Sequence, residues 1–403
     1  MPLKKSGRAE QSRALRLAGL CLVVTLAVLA LNFLAPPRLR APLVDADNYF
    51  HDSFIRYGRY TPVNTNLVLI GVGQDSYADV ILPEEAKNDP VLAALRERFP
   101  WSRKVWAALI TRLGDAGAKS IAIDFVFAAG ADGDDELRTA LDKYRDRIVI
   151  GANYFVAETD RGEPGKLTTP NGNLIPDLSG QPAALDPRVG FVNIWPDDDD
   201  VFRRARFRIT NHELGDAVNT SPATVINSFD ARALEQFGAT EKIPPPDTRQ
   251  KIRFSGPPKT WSAIPLADVL TPNLWKTNFA DGRFFAGKLV LVGPTANIFQ
   301  DSHRTPFRDD MPGPEIHLQL INAALHGEFM KDMPPLAAGA LIALAGLVGA
   351  MLCQFFIAPV KRLVVTLVLG GAFFLMAFFC FTLSGIVVPV VNPLLVLFTI
   401  GIF

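Results

Sequence analysis

The sequence has 403 residues, 49% of them apolar, with 41 basic and 41 acidic side chains and a mean hydropathy of +0.18. That balance is high for a soluble protein and low for one wholly in lipid, so membrane and aqueous parts are expected together. Zero net charge and the absence of a long basic segment exclude the electrostatic footprint of a nucleic-acid binder. Cys21, Cys353 and Cys380 all lie in apolar runs, so the polar middle of the chain has no disulfide framework.

The first 16 residues are basic, with Lys4, Lys5, Arg8, Arg13 and Arg16 against Glu10. Residues 17–35 follow as an almost unbroken apolar run, long enough to cross a hydrocarbon core of roughly 30 Å. Basic flanks stay in the cytoplasm, which puts residues 1–16 inside and Pro36 onward outside. A cleaved signal peptide would carry a shorter apolar core and an Ala-x-Ala-like site, and Ala35-Pro36-Pro37 fits that poorly.

Residues 36–335 read as one layered extracytoplasmic α/β domain with a largely parallel or mixed sheet. Asp45 or Asp47 can cap a stalk helix through Tyr57. Residues 66–71 form a strand, 101–117 a helix capped by Ser102, and 119–127 a second strand. That spacing implies a right-handed parallel unit. A helix near 134–144, a strand 147–153, a basic strand 201–209, a helix 221–237, strands 251–254 and 288–293 and a helix 314–326 continue the alternation. Residues 158–186 and 244–247 are rich in turn formers and read as surface excursions.

Beyond residue 335 come three further apolar runs, 336–360, 363–383 and 386–403. Each is expected to cross once, with Lys361-Arg362 inside, giving four transmembrane helices in all. The last run reaches Phe403 without a basic residue at the inner interface, as in a truncated chain.

Chemical motifs are sparse. Gly71-Val72-Gly73-Gln74-Asp75-Ser76 is half a dinucleotide turn, and a bare turn is the better reading. Gly293-Pro294-Thr295 lacks the Lys-Ser/Thr of a phosphate loop. Asp197 to Asp200 are consecutive and cannot all face one cation, so they read as a turn. The five histidines show no metal-ligand spacing and there is no nucleophile elbow. No catalytic residue, metal or cofactor is therefore expected in this chain. Asp124 stands out, because it ends an apolar strand at the edge where open α/β sheets place ligands. Asp75, Trp101, Arg103, Asp301 and His303 can converge on it as a ligand-binding group, or form a structural ion-pair network.

Pro100-Trp101-Ser102-Arg103, Asp124-Phe125-Val126-Phe127, Gly190-Phe191-Val192-Asn193, Arg203-Arg204, Phe254-Ser255-Gly256-Pro257-Pro258 and Gly313-Pro314-Glu315-Ile316-His317 occur in an order that resembles the type-two CHASE domain. This is an extracellular sensor associated with cyclases and histidine kinases. The resemblance implies a receptor module in a bacterial cytoplasmic membrane, with three trailing helices and a cytoplasmic effector, commonly a class III adenylate or guanylate cyclase or a kinase. It also implies a homodimer and a periplasmic ligand or protein partner, but fixes no binding residue. The family pattern has glycine where this chain has Asp200.

Overall fold

The computed structural model of the chain describes residues 4–73, 77–155, 165–178, 181–356 and 358–402. They fold as two units, Tyr60–Phe329 and the flanks Met1–Arg59 with Met330–Phe403.

The leading flank holds α1 (Lys4–Phe33) and α2 (Pro37–Tyr57). Pro37 takes the first helical position, where a missing N–H leaves nothing unpaired, so α2 starts well before the expected cap at Asp45 or Asp47.

The unit Tyr60–Phe329 is mixed α/β. It opens with β1 (Leu67–Val72), the short helices α3 (Pro83–Ala86) and α4 (Pro90–Leu95), then α5 (Arg103–Asp115), β2 (Ser120–Ile123), α6 (Asp134–Lys143) and β3 (Ile148–Phe155). Next come β4 (Lys166–Thr168), β5 (Val189–Phe191), β6 (Arg204–Ala205), β7 (Arg208–Thr210), β8 (Val225–Asn227) and α7 (Phe229–Gln236). The unit closes with β9 (Gln250–Ile252), β10 (Ile264–Pro265), α8 (Leu266–Leu270), α9 (Pro272–Phe279), β11 (Leu289–Pro294), the β12 (Ser302–Arg304) and β13 (Asp310–Pro312) hairpin, and α10 (Gly313–His326).

Its main sheet has the order β10-β1-β11-β2-β3-β4, with β5 also on β3. The pairings are parallel except β3 with β4. Every residue of β1 and β11 is buried, which is why both read as continuous apolar runs rather than alternating ones. β1 and β2 are parallel, as their spacing implied, but not neighbours: β11 lies between them, pairing Leu67 with Leu289 on one side and Ile121 with Val290 on the other. A crossover through α5 leaves room for a strand that arrives much later in the chain.

Two expected elements are divided. The helix expected over 221–237 is β8 followed by α7, because Pro222 has no amide to donate and Val225-Ile226 prefer extended backbone. Ser228 then starts the helix, its Oγ accepting from Ala231 N at 3.1 Å. The basic stretch 201–209 supplies two strands with different partners: β6 pairs with β9, and β7 with β8.

Asp197 to Asp200 form a turn closed by Asp200 N donating to Asp197 O at 2.9 Å. Asp200 has φ 63°, in the left-handed region that favours glycine, the residue expected there from the resemblance. Asp occupies that region more readily than most residues. Asp200→Gly is accordingly expected to leave stability unchanged or raise it, and Asp200→Val to lower it by about 1–2 kcal/mol. All five tryptophans, Trp101, Trp106, Trp195, Trp261 and Trp275, lie within Tyr60–Phe329, so their fluorescence in the full chain reports this unit alone during thermal unfolding.

The trailing flank contains β14 (Phe329–Asp332), α11 (Pro335–Phe355), α12 (Pro359–Phe379), β15 (Ile386–Val387) and α13 (Val391–Ile402). Among the described residues, three helices are long and apolar enough to cross a membrane: Leu15–Phe33, Pro335–Phe355 and Pro359–Ser384. The fourth expected crossing, 386–403, is not confirmed. Its first residues form a strand on β14 and its helix has 12 residues, about 18 Å at 1.5 Å per residue. Gly346 of α11 faces Thr25 of α1, and Gly349 faces Ile400 of α13, so small residues let these helices approach closely.

Candidate functional site

The ends of β1, β2 and β11 meet one edge of the sheet. Asp124 follows β2 directly, its N–H donating to Val292 O at 2.8 Å. Its carboxylate is turned inward, with a side chain 7% exposed, and the charged partner beside it is His317 of α10, whose Nε2 lies 3.9 Å from Asp124 Oδ2. The other imidazole nitrogen, Nδ1, is 2.9 Å from Asp230 Oδ1 in the first turn of α7. Phe229 closes the imidazole edge-on at 5.0 Å between centroids.

Glycines set these separations. A Cβ on Gly293 would collide with Pro314 and crowd the Cβ of Asp124. One on Gly190 would stand 2.6 Å from the Phe229 backbone, so β5 must present glycine for α7 to approach. Asp301 and His303 form the outer part of the group. His303 Nε2 is 3.2 Å from Asp301 Oδ1, each side chain is about a third exposed, and the Asp301 carboxylate packs against Gly313 where α10 begins. Carboxylates are favoured at a helix N-terminus by its partial positive charge.

Burial pushes the Asp124 carboxyl up to about 7, although His317 partly offsets it; Asp301 and Asp230 add to the rise. For His317 burial alone would favour the neutral ring, but Asp230 and Asp124 override it and hold the imidazole up to about 9. Near neutral pH the buried imidazole of His317 is therefore charged, and the Asp124 carboxyl beside it gains or loses its proton. Nothing in it supplies a nucleophile, and among the described residues no three His, Cys, Asp or Glu side chains are placed to hold a metal ion.

Of the residues expected to converge, Asp124, Asp301 and His303 stand together. Arg103 is paired instead with Asp134 at 3.6 Å, donates to Ala129 O and lies over the Phe127 ring. Trp101 is core, its Nε1 donating to Glu97 O at 3.0 Å and its ring against Tyr77 and Phe99. Asp75 lies outside the described residues. Asp230 escaped the sequence reading because it lies 87 positions from His317 and was placed in mid-helix rather than at a capped helix start. A cavity of about 760 Å³ lies on the outer faces of α5 and α6 with Trp275, but none of its lining residues belongs to this group.

Other polar residues of α10 fasten a loop. Glu315 accepts from the amides of Lys259 and Trp261, Gln319 Oε1 from Ser255 N, and Asn322 Nδ2 donates to Pro62 O. Burial raises the Glu315 carboxyl above its ordinary range, against the pull of those amides.

Residues 22–351, most of the chain, match the model of a family described as the CHASE2 domain. Neither the curated proteins nor the solved structures contain a match to the chain. The matched segment takes in the whole α/β unit, most of the apolar part of α1 and most of α11, and so the chain belongs to the CHASE2 family of sensory domains.

Proposed function

We propose that this chain is the sensory and membrane-anchoring part of a bacterial receptor. Residues 36–335 face outward from the cytoplasmic membrane, and the apolar helices pass a signal to a cytoplasmic effector, a class III nucleotide cyclase or a kinase. Because such effectors work as pairs, the receptor acts as a homodimer.

The observation that supports transmission is the seat of α2, the helix that leads into the α/β unit. Asp47 Oδ1 accepts from the amides of Val390 and Val391 at 2.7 and 2.8 Å, at the start of α13. His51 Nε2 lies 3.0 Å from Val388 O. Phe54, 2% exposed, packs its ring against Phe374, Phe378 and Phe381. A carboxylate that caps a helix from a distant part of the chain ties the two together, so rotation of α2 strains the α12–α13 connection. On the other side, α10 ends at His326, and residues 327–334, with β14 among them, lead to Pro335, where α11 begins. So short a connection transmits orientation better than a flexible tether.

With an effector domain joined to the chain, Gly-Ser inserted at Pro334-Pro335, or Asp47→Ala, is expected to abolish regulation while expression persists. A coupling of about 1–3 kcal/mol corresponds to roughly a 5–150-fold change in output. Unchanged regulation in both variants would rule out transmission through these helices.

A further inference from the structure

We propose that Asp124, His317 and Asp230 form a proton-binding element through which the sensor reads the acidity of the compartment it faces. The inference rests on the receptor reading above and names its stimulus.

Its basis is placement. The three groups come from the end of β2, the first turn of α7 and the second turn of α10, so they sit where α10 is clamped between the sheet and α7. All three are nine-tenths buried or more, and the further charged groups facing them are Asp301 and His303 of the hairpin. Glu315 is turned to the loop amides of Lys259 and Trp261. With Asp124 protonated, an imidazolium His317 and the Asp230 carboxylate cancel. Removing the Asp124 proton leaves a net negative charge in a buried place, where it is costly. The element that bears this cost, α10, is joined to α11 by residues 327–334, which include β14.

The direction follows from linkage. Asp124 and His317 both bind a proton more tightly when α10 is closed than when the groups are open to water, so rising pH favours opening. Asp124 contributes between its ordinary value of 3.8 and about 7. His317 contributes between 6.5 and about 9. Within each window the opening equilibrium rises by up to about tenfold per pH unit.

The test is amide hydrogen exchange of α10 in the full chain, held in lipid nanodiscs between about pH 5 and pH 9, with rates corrected for the intrinsic pH dependence of exchange. Protection of α10 is expected to fall with pH across the whole range. Asp124→Asn should flatten the acid half, and His317→Gln the alkaline half. Asp301→Asn changes a group one-third exposed and removes a charge that raises Asp124, so it should end the acid slope at lower pH without disturbing the core. Flat protection in the unmodified chain, or slopes untouched in all three variants, would overturn the proposal. The receptor reading is checked separately by protease added to intact spheroplasts. Digestion of the α/β unit with flat exchange defeats the proton element alone; a sheltered unit with intact slopes defeats the receptor reading alone.

Discussion

Arg203→Met is expected to destabilise the α/β unit by about 3–5 kcal/mol, the usual result of removing one partner from a buried charge network. Arg203 is 1% exposed, and its guanidinium meets Asp199 through two hydrogen bonds of 2.7 Å each and Asp197 at 3.3 Å. Arg204 holds the other side of Asp197 at 2.8 and 2.9 Å. Methionine fills a similar volume but leaves the Asp199 carboxylate half-buried without its fork. Tryptophan-monitored melting should fall by about 2–4 °C for each kcal/mol lost in a unit of this size. Acid should narrow the difference. Burial alone would raise the Asp199 carboxyl, but its hydrogen bonds to Arg203 bring it below the ordinary carboxylate range. A lowered group gives its full stabilisation above its unfolded pKa and loses it as pH falls through the folded value. Unmodified protein should therefore lose stability faster than the variant below about pH 4. A variant that melts within a degree or two of the parent at neutral pH would show that the turn is held by something else.

How far the sequence could be read depended on whether a signal was local. The parallel strands β1 and β11 were visible because burial on both faces demands unbroken apolar runs, Leu67 to Ile70 and Leu289 to Val292. α5 was visible through Val105, Leu109, Ile110 and Leu113 on one face. Strand order was not, since nothing local in 288–293 says that it inserts between two earlier strands. Asp124 drew attention because a carboxylate ending an apolar strand is locally out of place. Its neighbour Asp230 carried no such mark, since an acid within an expected helix is ordinary. Arg103 and Trp101 were locally prominent too, yet Asp134 and the Tyr77-Phe99 rings engage them. α10 did hold an unread signal. Glu315, Gln319 and Asn322 recur at intervals of four and three, which on an otherwise apolar helix marks a buried polar stripe with fixed partners.

That stripe leads to the second large effect. Gln319→Leu is expected to cost about 2–6 kcal/mol, because two buried backbone groups lose their partners at about 1–3 kcal/mol each. Gln319 is 0% exposed; its Oε1 accepts from Ser255 N at 2.7 Å and its Nε2 donates to Gly256 O at 3.1 Å. Leucine replaces both with methyl groups while Ser255 and Gly256 stay buried. Among the described residues neither group has a second partner, so the loop must either shift toward water or stay in place with both unpaired. Gln319→Glu separates the two contacts: the carboxylate still accepts from Ser255 but faces the Gly256 carbonyl with no donor unless it takes up a proton. Its melting temperature should therefore recover toward that of the parent as pH falls through the carboxylate range, whereas the Leu variant should show no such recovery. Denaturant unfolding of both variants in the full chain, followed by tryptophan emission, distinguishes these outcomes. A Leu variant as stable as the parent would mean that α10 does not hold the loop, and that movement of α10 could not be passed to residues 254–261.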